Sequence, residues 1–385
     1  MPYYDTAASS LNHHGEELCG DQVKILRTPE KLLIVLSDGL GSGVKANILA
    51  RLTSEILVTM VRAGAPLADV LETVIGTLPT CKVREIAYAA FVVLEVDLAN
   101  GRFQVINFDC PAPFLIRDGE LVELPMRTES ICGRTLHFSA GTLQLGDFFG
   151  VISDGVMYAG LGTLMNFGWG RVQIADFLVR SLRERPAAAT TVVREVIEKT
   201  GELYGGEPGD DASLVGLLVR EPSRLMVFTG PPTDPASDAP AVDRLIAFNG
   251  RKAVCGGTTG NIVGQHLGHL VRIDTTTLRE DVPPIGILPE IDLVTEGVLT
   301  LAKTLRLLKS SGGDRHQLPP DRHGATLLAQ ELLAADEIHI LAGEQVNPYY
   351  QNPLLPRNIS IRHNLVEQIV ETLTACHKHV TIEWL

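Results

Sequence analysis

The sequence predicts an α+β protein in two parts: a layered sheet-and-helix domain over residues 1–222, then a smaller α/β domain with a largely parallel sheet over residues 223–385. Three observations carry that prediction. At 385 residues the chain is long for one hydrophobic core. Between residues 86 and 117 strand-like runs follow one another with only turn residues between them, the mark of antiparallel pairing in a layered domain. Beyond residue 223 such runs alternate instead with helical patterns, as a parallel sheet with crossover helices reads.

In chain order, the first part offers strands in QVKILRT, KLLIVLSD, IAYAAFVVLEVDL, RFQVINFD, PFLIRDG, GTLQLGDFFGVISD and SLVGLLVR, short β-rich runs bounded by turn signals. Apolar residues recur three and four apart over 44–63, 66–78, 171–183 and 190–204, which are predicted helices. Residues 229–240, TGPPTDPASDAP, combine proline, aspartate and small residues and are expected to form a turn-rich connection or linker. In the second part RLMVFTG, RKAVCGG, HLVRID, EIHILAG and KHVTIEWL are predicted strands. They are interleaved with predicted helices over 241–248, 259–267, 292–308, 324–335 and 361–377.

The composition excludes several classes of function. A formal net charge of -13 argues against a nucleic-acid partner, which calls for a basic excess or patch. The first 21 residues lack the basic start and apolar block of a secretory signal, and no apolar run approaches the roughly 20 residues that span a bilayer. A cytoplasmic protein without membrane segments is expected. Six scattered cysteines contain no C-x-x-C pair, so neither a zinc knuckle nor a disulfide framework is indicated.

The stretch KLLIVLSDGLGSGVKANILARL poses the functional question. Gly41, Gly43 and Ala46 fit the spacing G-x-G-x-x-A between a strand and a helix, the context of a dinucleotide-binding turn. That reading also requires a second strand ending in an acid about 20 residues on, but two helical patterns stand there instead. The Walker spacing cannot be aligned to GLGSGVKAN either. The turn therefore draws attention to Asp38, which ends the strand.

If the turn presents a metal ligand, other isolated acids should stand at strand ends. Asp154 repeats the pattern in FFGVISDGV; Asp21 precedes a strand in EELCGDQV; Asp210 and Asp211 precede another in GEPGDDASLVGLLV. Any one of these is ordinarily a turn residue. All four sites together, carboxylates without Cys or His partners at ligand spacing, describe a hard oxygen site suited to Mg²⁺ or Mn²⁺.

SDGLGSGVKA, VISDGV, GEELCGDQV and GDDASLVGLLV resemble the metal-binding signatures of the PP2C-type (PPM) serine/threonine phosphatases, in particular their bacterial SpoIIE-like branch. NFDCPAPFLIRDG resembles a hairpin of that branch, and the motifs cover roughly residues 10 to 220 in the family's order. The resemblance implies an αββα sandwich with two divalent ions, Mn²⁺ or Mg²⁺, between the sheets. Asp38 would bridge both ions and the Gly39 carbonyl would add a ligand; Asp21 would hold one ion, mainly through waters, and Asp154 and Asp210 the other. Catalysis would pass through water activated by the ions, with Asp38, Asp154 and Asp210 as the catalytic carboxylates. The substrate it implies is a phosphoprotein such as a STAS-domain regulator, phosphorylated by an opposing serine/threonine kinase.

Around those ligands, Asp211, Ser42, Gly43, His14 and Asn107 are candidates for supporting the ions or the phosphate. Gly39, Gly41 and Gly43 permit close backbone approach, and the helix starting near residue 44 would aim its positive end at the site. Ser at a helix start is ordinarily a cap. Leu40 stands where many animal relatives carry a histidine, leaving the leaving group's proton donor unassigned, and the third-metal acid of some relatives would fall near Cys110.

In the second part Gly256, Gly257, Thr258, Thr259 and Gly260 stand between a strand and a helix. They are read either as an anion or small-ligand loop or as a tight capped turn. PPIGILPEIDLVTEG is expected to face the same cleft. A sensory, ligand-binding or dimerisation module is expected here, the last making the protein a homodimer. Two rivals stand beside the phosphatase: a phosphatase-like fold that binds without turnover, and a nucleotide-binding oxidoreductase built on the Gly41 turn.

Overall fold

The structure, a computed structural model, describes residues 2–77, 89–162, 164–183, 188–279, 282–345 and 361–385. Residue 78 of one predicted helix and residues 86–88 of one predicted strand lie outside the described residues. The chain divides into two compact units, Met1–Glu221 and Pro222–Leu385.

The first unit contains β1 (Tyr3–Leu11), β2 (Asp21–Arg27), β3 (Lys31–Gly39), α1 (Gly43–Arg62), α2 (Leu67–Thr77), β4 (Ala89–Asp97), β5 (Arg102–Phe108), β6 (Phe114–Arg117), β7 (Glu120–Val122), β8 (Arg127–Ile131), β9 (Arg134–Thr142), β10 (Phe148–Ile152), α3 (Asp154–Met157), α4 (Arg171–Arg183), α5 (Ala189–Leu203) and β11 (Ala212–Arg220). They form a sheet of order β1-β11-β10-β6-β7 and a sheet of order β2-β3-β4-β5-β9-β8, antiparallel throughout.

The stacking follows from period-two burial. Leu32, Ile34 and Leu36 of β3 turn toward Phe149, Val151, Val215, Leu217 and Val219 of the other sheet. The alternate residues Leu33 and Val35 pack with Leu57 of α1 and Val70, Leu71 and Val74 of α2. Phe148, Ile152 and Leu214 face α4 and α5 instead. Strands buried on both faces read as continuous apolar runs, as LLIVL does. The result is an αββα sandwich with its main core between the sheets.

The second unit contains β12 (Arg224–Thr229), α6 (Asp238–Ala247), β13 (Arg251–Cys255), α7 (Gly257–Leu267), β14 (Arg272–Asp274), β15 (Ile285–Leu288), β16 (Ile291–Thr295), α8 (Val298–Ser311), α9 (Gly324–Ala334), β17 (Glu337–Ala342), α10 (Ile361–Ala375) and β18 (His379–Trp384). The order is β14-β15-β16-β13-β12-β17-β18. The five strands from β16 to β18 are parallel, and β15 and β14 add an antiparallel edge. α6 and α7 cover one face and α8, α9 and α10 the other, as a doubly wound sheet requires.

Four sequence expectations need correction. The predicted strand GTLQLGDFFGVISD is two strands, because Gly146 at φ 93° turns the chain between β9 and β10. The predicted helix over 292–308 begins as β16, whose IDLVT run belongs to the sheet, and Gly297 separates it from α8. Of the two readings of residues 229–240 the turn-rich connection holds and the linker does not: residues 230–237 are the loop from β12 into α6, ordered by Asp234 accepting a hydrogen bond from the Ala236 amide (2.9 Å), and the units divide earlier, after Glu221. Finally, YYDTAASSL forms β1: it pairs along its length with β11 but is only partly buried, so its residues carry little apolar signal.

Candidate metal centre

Two sheet registers gather the predicted acids. In one sheet Asp21 pairs directly with Asp38 across β2 and β3. In the other, Ile152 pairs with Leu214, so the end of β10 and the start of β11 lie side by side, and Asp154, Asp210 and Asp211 follow from the same edge. That edge is stitched by the Ser153 amide donating to the Ser213 carbonyl (3.0 Å) and the Ser213 amide donating to Ser153 Oγ (2.8 Å).

The carboxylates feel one another strongly. Burial first, then the fields of Asp21, Asp154, Asp210 and Asp211, push Asp38 up to about 9. Burial pushes Asp21 up to about 7, with Asp211 and Asp154 adding to it. Asp210 is pushed up to about 6 by burial and then by Asp154, against partial relief from the Asp211 amide and His13. Asp154 is raised mainly by burial, although the Gly155 amide pulls the other way. The carboxyl groups of Asp38 and Asp154 lie within hydrogen-bond reach, where two carboxylates repel unless a proton or cation sits between them.

The donor set fits hard divalent ions. Both carboxylate oxygens of Asp21 and Oδ2 of Asp211 are buried without a hydrogen-bond partner. Ser153 and Ser213 lie close enough to ease the charge on Asp21, but neither hydroxyl makes a hydrogen bond of standard geometry to it. Such oxygens are costly unless a cation or water answers them. Among the described residues no three His, Cys, Asp or Glu side chains converge tightly enough to hold an ion by themselves. Any ion there would complete its sphere with waters and a carbonyl such as that of Gly39, as Mg²⁺ characteristically does.

The surrounding residues differ from expectation in instructive ways. Gly39 is required sterically: a β-carbon there would overlap the Ala46 backbone, so α1 can start against β3 only over a glycine. Asp211 is buried and accepts from the His13 amide (3.0 Å). Its neighbour His14 is exposed, and the His14 amide donates to the Pro208 carbonyl (2.7 Å), so His13 rather than His14 faces the acids. Ser42 occupies the N-cap of α1 without a capping bond; its hydroxyl donates to Glu16 Oε1 at 3.4 Å. The same Glu16 carboxylate stands where a Gly43 β-carbon would be, so the positive end of α1 already faces an acid of this chain.

Asn107 has both amide hydrogens committed to the carbonyls of Cys110 and Pro111, and its oxygen accepts from the Cys110 amide, all at 3.0 Å. It braces a turn in which Asp109 holds φ 58° and is not free to bind phosphate. Cys110 senses Asp38, Asp21 and Asp154, and burial with those charges holds its thiol well above the usual range. Sequence reasoning missed Tyr204, whose hydroxyl donates to the Gly155 carbonyl (2.7 Å) beside Asp154 and is pushed up to about 12 by burial and the charges of Asp210 and Asp154. Its only signal was its place at the end of α5, just before the GEPGDD loop.

The dinucleotide reading fails on topology. β3 pairs antiparallel with both β2 and β4, so the Gly41 turn is not part of a parallel β-α-β unit. Of the predicted loop in the second unit, residues 256–259 line a different cavity and Gly260 does not.

A two-layered antiparallel sandwich with helices outside and carboxylates gathered at strand ends defines the class of PP2C-type phosphatase domains. Residues 28–220 match the family model "Stage II sporulation protein E (SpoIIE)", and the chain belongs to that family. Comparison with the curated proteins gave no match. Among solved structures, the RsbU and RsbW domains of a Mycobacterium tuberculosis protein are similar at 21% identity, covering 63% of this chain and 69% of that one, with a TM-score of 0.48. The phosphatase domain of the Bacillus subtilis cell fate determinant SpoIIE is similar at 17% identity, covering 57% and 93%, with a TM-score of 0.43. The PP2C domain of Pseudomonas aeruginosa SiaA is similar at 18% identity, covering 55% and 85%, with a TM-score of 0.43. No helix among the described residues is long and apolar enough to cross a membrane.

Proposed function

We propose that the first unit hydrolyses phosphoserine or phosphothreonine on a protein substrate, using two divalent ions, Mn²⁺ or Mg²⁺, held by Asp21, Asp38, the Gly39 carbonyl, Asp154 and Asp210. The observation that supports this reading is the buried carboxylate cluster, with its raised proton affinities and unpartnered oxygens on Asp21 and Asp211. Bound there, a pair of divalent ions acidifies water and neutralises the phosphoryl dianion. The residues do the rest: Asp38 is shared between the two halves of the cluster, Asp211 is fixed by the His13 amide, and Tyr204 pins the turn that carries Asp154.

A protein substrate is supported by the segment between Asp154 and α4, which exposes Leu161, Leu164 and Phe167, the last 88% accessible. Exposed apolar side chains on the segment that follows Asp154 suit a macromolecular surface better than a small phosphate ester. In this reading the enzyme acts in the bacterial cytoplasm on a phosphorylated STAS-type regulator and opposes a serine/threonine kinase. Manganese-dependent turnover of p-nitrophenyl phosphate and of a phosphoserine STAS domain tests it, comparing wild type with Asp38→Ala and Asp154→Asn. Turnover of both substrates that stops with EDTA and in both variants is expected. Wild-type silence with manganese would remove the enzymatic reading, and turnover of the phosphoserine STAS domain unchanged in Phe167→Ser with Leu164→Ser would remove the docking role of that segment.

A further inference from the structure

The second unit carries a cavity of about 290 Å³ that the phosphatase chemistry does not use. It lies beyond the carboxyl ends of β12, β13 and β16, lined by Pro231, residues 256–259, residues 296–299 and Arg362. In an open parallel sheet this is where ligands bind, because loops leaving strands that wind in opposite directions part there. β12 is flanked by β13 on one side and β17 on the other, so the winding reverses beside this cavity.

Its chemistry is that of an anion site. α7 and α8 both begin at it, from Gly256 and Gly297, and neither has a side-chain cap. Their first amides and positive helix ends are therefore available to a ligand. Gly256 holds φ 134°, which lets the chain pass from β13 into α7 in one residue. Arg362, from the first turn of α10, brings a guanidinium whose Nη1 donates to the carbonyls of Gly343 (3.1 Å) and Gln345 (3.4 Å). Among the described residues no carboxylate is paired with it. Independent of the helix ends, Thr259 is fully buried against the cavity and its Oγ1 has no hydrogen-bond partner.

One lining group has the opposite sign. Glu296, at the end of β16, lies against the start of α7: its Oε1 is 3.1 Å from where a Gly257 β-carbon would stand. A bare anion would meet repulsion there. A ligand that carries an anionic group and hydroxyls would not, since a carboxylate accepts hydrogen bonds from hydroxyls.

We propose that this cavity binds a small phosphate ester with free hydroxyls, a mononucleotide or a sugar phosphate, its phosphate on the α7 and α8 amides, Thr259 and Arg362 and its hydroxyls on Glu296. The volume sits at the small end of ligand pockets, about 300 Å³, which fits one such unit rather than a dinucleotide.

Titration calorimetry on the full chain in EDTA, which silences divalent ions at the first unit, tests this with AMP, ribose 5-phosphate and inorganic phosphate. An ester is expected to bind with Kd below about 1 mM and at least about tenfold more tightly than inorganic phosphate. AMP alone binding assigns a nucleotide; comparable binding of ribose 5-phosphate assigns a sugar phosphate. Arg362→Gln should weaken the ester about tenfold and the near-isosteric Thr259→Val several-fold, while Glu296→Gln should weaken the ester but not inorganic phosphate. Should Arg362→Gln fail to fold, Thr259→Val and Glu296→Gln still decide. The assignment is overturned by no ester binding at millimolar concentration, by equal binding of inorganic phosphate, by indifference to the Thr259 and Glu296 variants, or by loss of binding in Asp38→Asn, which would place the ligand in the first unit.

Discussion

Residues 31–52 and 251–267 are assembled from the same local parts, a buried strand, a glycine turn and a helix, yet they make different electrostatic environments. In the first, Asp38 ends the strand beside four more acids, and Glu16 covers the start of the helix. In the second, the strand ends in the buried, uncharged Cys255, and the helix start opens on a cavity lined by one acid, Glu296, and one guanidinium, that of Arg362. A glycine turn thus sets only how closely strand and helix approach. The charge brought by neighbouring strands decides whether the place suits a cation or an anion.

The sharpest way to break this comparison is to remove the charge from the first turn. Asp38→Asn is expected to lower phosphatase turnover about a thousandfold, the equivalent of about 4 kcal/mol, measured with saturating manganese. Retained activity would mean that the cluster is not the catalytic centre.

The same cluster should leave a signature in stability. Carboxylates whose folded pKa is raised bind more protons folded than unfolded, so they contribute stability below the unfolded value near 4 and lose it as pH rises through the folded values. Those values are about 6 for Asp210, about 7 for Asp21 and about 9 for Asp38. In EDTA, Asp38→Asn should therefore become progressively more stable than wild type between pH 5 and pH 9, read as a growing difference in Tm. Manganese should reverse the order by stabilising wild type alone. A difference that stays flat across this range would contradict the mutual repulsion inferred for the cluster.

The glycines sharpen the contrast sterically. Gly39→Ala should destabilise the first unit by about 3 kcal/mol, because its β-carbon meets the fixed backbone of Ala46. Gly257→Ala should cost under about 1 kcal/mol, since its β-carbon meets only the movable end of Glu296. Urea unfolding of each variant checks the ratio, and equal costs would mean that the two turns are packed alike. The smallest effect is expected from Tyr204→Phe, which loses one hydrogen bond to the Gly155 carbonyl, worth about 1 kcal/mol. It should lower the turnover rate a few-fold with little change in KM, and a change confined to KM would move Tyr204 from supporting Asp154 to binding substrate.

Much of this was legible in the residues. Strands buried on both faces announced themselves as unbroken apolar runs, and the repeated pattern of strand, acid and glycine marked Asp38 and Asp154, because a carboxylate at a strand end needs only local sequence to be placed there. What escaped was whatever depended on a distant partner. β1 is a strand because β11 offers it a ladder, and residues 291–295 are β16 because β13 receives them. Asn107 looked available until its amide was seen to be spent on the turn it closes.

The sequence by itself determined the two-part organisation, the layered α+β character of the first unit and the identity of the candidate acids, since strand patterning and turn chemistry are local properties. Only the tertiary structure decided that Asp21 faces Asp38 across a ladder, that Glu16 fills the space at the start of α1 while Glu296 shares the start of α7 with a cavity, and that Arg362, more than 100 residues from Gly256, lines the same cavity. Strand pairing and helix packing join residues far apart in the chain, and the electrostatic character of each turn depends on which residues they join.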